Sequence, residues 1–170
     1  DMATNDIVMI YHADMYACPD MDKEVLKLLE PGKVVSATRI EPPLHPDGPE
    51  KVLVDFGIEP EEFKENELFK WLEDDKINGE DKFTKGIFAP WAIYKKDFQD
   101  IGGHDPLYAP QSKEDSDIFN RFVLAGYDLV QTWQGFVYHM TCRGSRFKDG
   151  ALRNPAGQVF MKGRESSEWL

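Results

Sequence analysis

Three places in this 170-residue chain gather side chains that can do chemistry. The first is His12-Ala13-Asp14, which follows the apolar run Ile7-Val8-Met9-Ile10-Tyr11. A carboxylate there can bind a divalent cation through oxygen. An imidazole beside it leans the choice towards Mn-type metals and away from Mg. The second is Glu114-Asp115-x-Asp117, a run of acids that opens an amphipathic segment. A carboxylate within hydrogen-bond reach of a hydroxyl can take its proton, and a nearby helix N-terminus helps to hold that carboxylate ionised and oriented. The third is Phe136-Val137-Tyr138-His139-Met140, an apolar run that reaches a histidine. Behind it Arg143, Arg146, Lys148 and Arg153 form a small basic island that can neutralise an anionic group. Each group also has a plainer reading. Asp14 can cap a turn beside a solvated His12, the acids can simply suit a helix start, His139 can be a core or surface residue, and the basic island can be a frayed tail.

The surrounding elements must bring these groups together. Ile7 to Tyr11 reads as a strand buried on both faces, as in a parallel sheet. Cys18-Pro19-Asp20 signals a helix start with Asp20 as N-cap, Val25, Leu28 and Leu29 give that helix its apolar face, and Pro31-Gly32 stops it. Val34 to Thr38 reads as the next strand. Glu41 to Pro49, with four prolines and a glycine, reads as an exposed loop. Val52 to Phe56 fits a short strand, and Pro60 to Asp75 fits an acid-rich amphipathic helix carrying Phe63, Leu68, Phe69, Trp71 and Leu72. Gly86 to Tyr94 reads as a strand interrupted near Pro90. A short helix, Lys95 to Ile101, precedes the Gly102-Gly103 turn. The spacing predicts a helix over Asp115 to Leu124 with Ile118, Phe119, Phe122 and Val123 inward and Asp117 paired with Arg121. Tyr127 to Gln131 and Gly135 to His139 read as two strands. Strands alternating with helices predict an α/β sheet, and ligands of such sheets gather at the carboxyl ends of strands, where His12-Ala13-Asp14 falls.

Composition narrows the partners. A chain of 170 residues with 41% hydrophobic and 12% aromatic residues suits one globular domain with a real core. No apolar run approaches the roughly 20 residues that span a bilayer. The net charge of −11 argues against a nucleic-acid backbone or an anionic membrane surface as the main partner. A phosphorylated ligand then needs a metal ion or a local basic patch. Cys18 and Cys142 match neither a disulfide framework nor a zinc spacing and read as reduced thiols of a cytoplasmic protein.

Gly102-Gly103-His104-Asp105-Pro106, then Glu114-Asp115-x-Asp117, then Ala125-Gly126-Tyr127 resembles the second half of family 2 and related GT-A glycosyltransferases. That half carries a Gly-Gly-aromatic-Asp turn, a Glu-Asp-x-Asp run and a helix ending in Gly-Tyr. His104 stands where an aromatic is commoner. His12-Ala13-Asp14 resembles the Asp-x-Asp metal motif with histidine in place of the first aspartate. The resemblance implies a partial GT-A (nucleotide-diphospho-sugar transferase) fold, with a mixed, mainly parallel sheet flanked by helices. Residues 1–142 would form its catalytic and acceptor half and residues 143–170 a mobile basic tail. It implies metal-dependent, inverting transfer of a sugar from a nucleotide-sugar donor, a UDP-sugar foremost, to a carbohydrate or other hydroxyl acceptor.

By the same resemblance, Asp115 is the catalytic base and Glu114 supports it or positions acceptor hydroxyls. Asp14 and His139 hold Mn2+ (or Mg2+), and His12 touches ribose or metal-bound water. Trp91, Gly103, His104 and Asp105 line the acceptor side, and Arg143, Arg146 and Lys148 meet the donor diphosphate. The resemblance covers only the later half of a GT-A domain. The strands missing before Ile7 would leave a sheet edge open, which predicts self-association as a homodimer. Two other functions fit the same residues: a non-catalytic half-domain that assembles or binds carbohydrate, and a metal-dependent hydrolase using His12, Asp14, Asp115 and His139.

Overall fold

The computed structural model describes residues 3–44, 47–74, 80–83, 87–108 and 113–140. In chain order its strands are β1 (Ile7–Ile10), β2 (Met15–Ala17), β3 (Lys33–Glu41), β4 (Lys51–Leu53), β5 (Lys82–Phe83), β6 (Trp91–Tyr94) and β7 (Asp128–His139). Its α-helices are α1 (Met21–Leu28), α2 (Glu65–Asp74), α3 (Lys95–Asp100) and α4 (Glu114–Leu124). All seven strands join one sheet in the order β1-β6-β3-β7-β2, with β4 on β3 and β5 on β7.

The sheet is mixed, and the expectation of a mainly parallel one is corrected. Among the described residues only β3–β7 and β3–β4 are parallel, while β1–β6, β3–β6, β2–β7 and β5–β7 are antiparallel. The misleading segment is β1. Its unbroken apolar run suggested burial on both faces, yet it sits at an end of the sheet with Ile7 exposed and Val8 to Ile10 half-buried. Its side chains are apolar because Val8, Met9 and Ile10 pack against the main core.

The long pair β3–β7 is the spine, aligned from Lys33 opposite Asp128 to Ile40 opposite Tyr138. Both strands outrun their sequence expectations. β7 is one strand where two, Tyr127 to Gln131 and Gly135 to His139, were expected, and its polar Gln131 and Thr132 lie within it. Those polar groups find partners where the ladder is irregular between Ser36 and Thr38. The Thr38 hydroxyl donates to the Thr132 carbonyl at 2.7 Å and accepts from Gln131 Nε2 at 2.8 Å. β3 continues through Glu41, so the expected exposed loop begins later. Buried polar groups satisfied in this way do not weaken a core.

Two apolar clusters hold the layers. Met21, Val25 and Leu29 from α1 and its end, and Ile118, Phe119 and Phe122 from α4, join Val34, Val35, Trp91, Ile93 and Leu129 of the sheet. Val123 is 48% exposed, not inward, because the Ile118–Phe119–Phe122 stripe already fills the buried face. The second cluster joins Ile40 and Tyr138 to Phe56 and Leu68, with Phe69, Trp71 and Leu72 of α2 against it. The Tyr138 hydroxyl accepts from the Phe56 amide at 2.8 Å and donates to the Gly57 carbonyl at 2.6 Å. Asp20 does precede α1, but it takes a left-handed φ of 60° and pairs with Lys23, making no side-chain bond to the helix end.

Candidate metal and acid–base site

His12 and Asp14 lie in the short turn that leaves β1 and enters β2. The Met15 amide closes this turn onto the His12 carbonyl at 3.2 Å, and the Met140 amide holds the Asp14 carbonyl at 3.0 Å. Antiparallel pairing of β2 with β7 sets Met15 opposite His139. Two segments more than 120 residues apart in sequence thereby meet at one strand end. One ligand atom from each of His12, Asp14 and His139 falls within 4.8 Å of the others. His139 Nε2 is 3.4 Å from Asp14 Oδ2, and the two imidazole rings stand 6.4 Å apart. His12 is exposed while Asp14 and His139 are half-buried, so the cluster opens to solvent on the His12 side.

Beneath the cluster lies a charged layer that the sequence did not disclose. Glu41 ends β3 at 1% exposure. Its Oε2 is 2.9 Å from His139 Nδ1 and its Oε1 accepts from Lys51 Nζ at 2.6 Å. Arg39 reaches Glu50 at 3.1 Å, approaches Glu41 at 3.8 Å, and stacks its guanidinium 4.5 Å over the Phe88 ring. Burial alone would raise the Glu41 pKa, but its bonds to His139 and Lys51 and the nearby Arg39 charge outweigh it and hold the carboxyl down to about 2. Burial likewise opposes charge on His139, yet Asp14 and Glu41 together raise its pKa above the ordinary histidine value. His139, 3.4 Å away, lowers the pKa of Asp14 in turn, against its own partial burial.

Asp115 lies in the first turn of α4, near enough to His12 and Arg39 for their charges to act on it. Burial and the adjacent Glu114 carboxylate raise its pKa, while the charges of His12, His104 and Arg39 pull it down. The helix start therefore does not hold Asp115 more strongly ionised than usual, as the sequence suggested; desolvation dominates. The residue before the helix, Lys113, has a left-handed φ of 71° and gives the helix no side-chain cap. Asp117 pairs with Arg121 at 2.8 Å, as its spacing predicted. Arg121 does more: it donates to the Ile101 carbonyl and to the Gly103 carbonyl, each at 2.7 Å. One guanidinium thus straps the Gly102-Gly103 turn to the helix that carries Asp115.

The acceptor-side candidates separate. Trp91 is fully buried in the core among Phe98, Phe119 and Phe122, so it offers no face to a sugar, and that expectation is corrected. Its indole ring is too large and apolar to leave the interior of β6. Gly103 is buried at a φ of 65°, and a Cβ there would meet the Phe98 ring at 3.2 Å. Its role is the tight turn. His104 packs edge-on to Phe98 at 5.9 Å, taking the place of an aromatic. Asp105 accepts from the Leu107 amide at 2.8 Å and shapes its own loop. Arg143, Arg146, Lys148 and Arg153 lie outside the described residues, as does Cys142. Cys18 is a buried free thiol whose pKa burial pushes up to about 12.

Glu41 is the residue that sequence reasoning missed. It stood at the head of a proline-rich stretch and was read with it. The usable signal was apolar Ile40 just before the prolines, which extends the strand past Thr38.

The donor set suits a first-row divalent ion: two imidazoles and one carboxylate are borderline ligands, where Mg2+ would call for oxygen. The fit is strengthened by the carboxylate on the far nitrogen of His139, the usual companion of a metal-bound histidine. No described helix is long and apolar enough to cross a membrane. No protein-family profile matches the chain, and no curated protein matches it in sequence. In three dimensions it is similar to the crystal structure of GalNAc-T7 with UDP, GalNAc and Mn2+, with a TM-score of 0.56 at 13% identity. The match covers 79% of this chain and 27% of that one, so this chain spans about a quarter of the glycosyltransferase it matches. The chain has a mixed α/β, partial GT-A-like fold.

Proposed function

We propose that this chain carries the metal and acid–base side of a glycosyltransferase that moves a sugar from a nucleotide-sugar donor to a hydroxyl acceptor. The observation that supports it is the convergence of His12, Asp14 and His139 within 4.8 Å at one strand end. The partial GT-A-like fold, shared with a protein solved with UDP and Mn2+, supports the donor class.

In this reading Asp14, His139 and His12 would hold a divalent ion such as Mn2+. When bound, the ion supplies positive charge for a departing diphosphate. The chain's own residues do the rest. Asp115 takes the acceptor proton as its oxygen attacks the anomeric carbon, giving inversion at that carbon. Its raised pKa suits this work, because a stronger base captures the proton more readily. Glu114 beside it keeps that pKa up and would meet acceptor hydroxyls. Arg121 fixes the Gly102-Gly103 turn against α4, so the loop on the acceptor side stays in register with Asp115.

Calorimetric titration of UDP, with and without Mn2+, tests the reading beside Asp14→Ala. Metal-dependent binding that disappears in the variant supports it. Folded protein that binds neither Mn2+ nor UDP would move the non-catalytic module ahead.

A further inference from the structure

We infer that Glu41 is a positioning residue: held by Lys51, it fixes the tautomer and ring orientation of His139 so that Nε2 faces the metal position. The inference rests on the metal reading above and deepens it.

The two oxygens of Glu41 are divided between two partners. Oε1 takes the Lys51 ammonium at 2.6 Å and Oε2 meets His139 Nδ1 at 2.9 Å. With Lys51 and Arg39 on it, this carboxylate is ionised and can only accept. Asp14 stands farther off, at 3.4 Å from Nε2, so the hydrogen of the neutral ring belongs on Nδ1, at hydrogen-bond distance from Glu41. In the neutral ring that leaves Nε2 bare, and Nε2 is the nitrogen directed at Asp14, 3.4 Å away. The alternative tautomer would put a hydrogen on Nε2, where the ion is to bind. It would also leave Nδ1 and a buried carboxylate oxygen facing each other with no hydrogen between them.

The arrangement is stiff because each part is fixed elsewhere. Glu41 ends the long strand β3, His139 ends its parallel partner β7, and Lys51 opens β4 on the other side of β3. Lys51 is 8% exposed and Glu41 1% exposed, so water does not compete for either. A carboxylate bound to the far nitrogen of a metal-bound imidazole orients it and increases its basicity, and losing that carboxylate costs about 10–100-fold in metal affinity.

The test begins with metal-free, intact protein at a pH where His139 is neutral. Long-range 1H–15N NMR should show His139 protonated on Nδ1 and bare on Nε2. Protonation on Nε2 instead would overturn the inference with no variant needed. The double variant Glu41→Met/Lys51→Met removes both buried charges together, so that neither is left unpaired. It should lose the tautomer preference and bind Mn2+ about 10–100-fold more weakly than the parent. Unchanged tautomer and unchanged Mn2+ affinity in that folded variant would sink the positioning role while leaving the metal site standing. If the parent shows the Nδ1–H tautomer but binds no Mn2+, the positioning holds and the metal reading of the proposed function fails.

Discussion

Asp115 and Glu41 are carboxylates of one small region, and their surroundings drive them in opposite directions. Asp115 is desolvated beside another acid, which raises its pKa. Glu41 is buried more deeply but is bonded to His139 and Lys51, and it falls to about 2. The first environment suits proton uptake, and the second suits a permanent charge. Asp115→Asn should therefore cost about 10²–10⁴-fold in transfer rate while Mn2+-dependent UDP binding persists; loss of both together in a rate and calorimetry comparison would count against the base role. For Glu41 the sign follows from a folded pKa below the ordinary glutamate value of 4.5. Its contribution is complete above pH 4.5 and is lost as pH falls towards 2. Denaturant unfolding across that window should show wild-type stability dropping by on the order of a few kcal/mol more than Glu41→Gln loses. At neutral pH Glu41→Gln itself should be less stable by about 3–5 kcal/mol, because Lys51 is left buried without its partner.

Between elements, apolar clusters hold the layers and a few polar contacts set their alignment. Arg121 bonds Asp117 in its own helix and two carbonyls of the glycine turn. Arg121→Met should lower stability by about 1.5–3 kcal/mol, the usual worth of hydrogen bonds to a charged group. It should also slow transfer with donor binding kept; equal rates would show that the strap does not position the acid–base side. Gly103→Ala meets two obstacles, the left-handed backbone and the Phe98 ring, and should cost at least about 1–2 kcal/mol by denaturant unfolding. Both changes sit on a motif whose residue types were plain in the sequence. Their partner in space, the Arg121 side chain, was legible only as far as its pairing with Asp117.

At the scale of the molecule, the candidate cluster of His12, Asp14 and His139 ties the turn after β1 to the end of β7, the last described strand. The net charge of −11 favours approach of a cation over that of an anion. Mn2+ at about 100 times its Kd should add about 2.7 kcal/mol to stability, raising Tm by about 5–10 °C for a domain of this size. Asp14→Ala should abolish the shift in a thermal melt. An equal shift in the variant would mean that the ion binds elsewhere.

Local chemistry was readable from the chain alone. The α1 and α4 stripes, the glycine turn, the Asp117–Arg121 pair and the acids at the start of α4 are set by neighbours within a few residues, so spacing exposes them. The His12, Asp14 and His139 candidates were visible as residue types at strand ends, but their meeting depends on the β2–β7 register, which no local pattern encodes. Strand direction was misread for a related reason. An apolar run reports burial and not the sense of its neighbour, so β1 passed for a parallel inner strand. Trp91 was assigned to the surface and Glu41 to a loop because burial of an aromatic or of a charge is decided by what packs around it. Only the tertiary structure brings Lys51, Arg39 and His139 to Glu41, and only those partners make a buried carboxylate affordable.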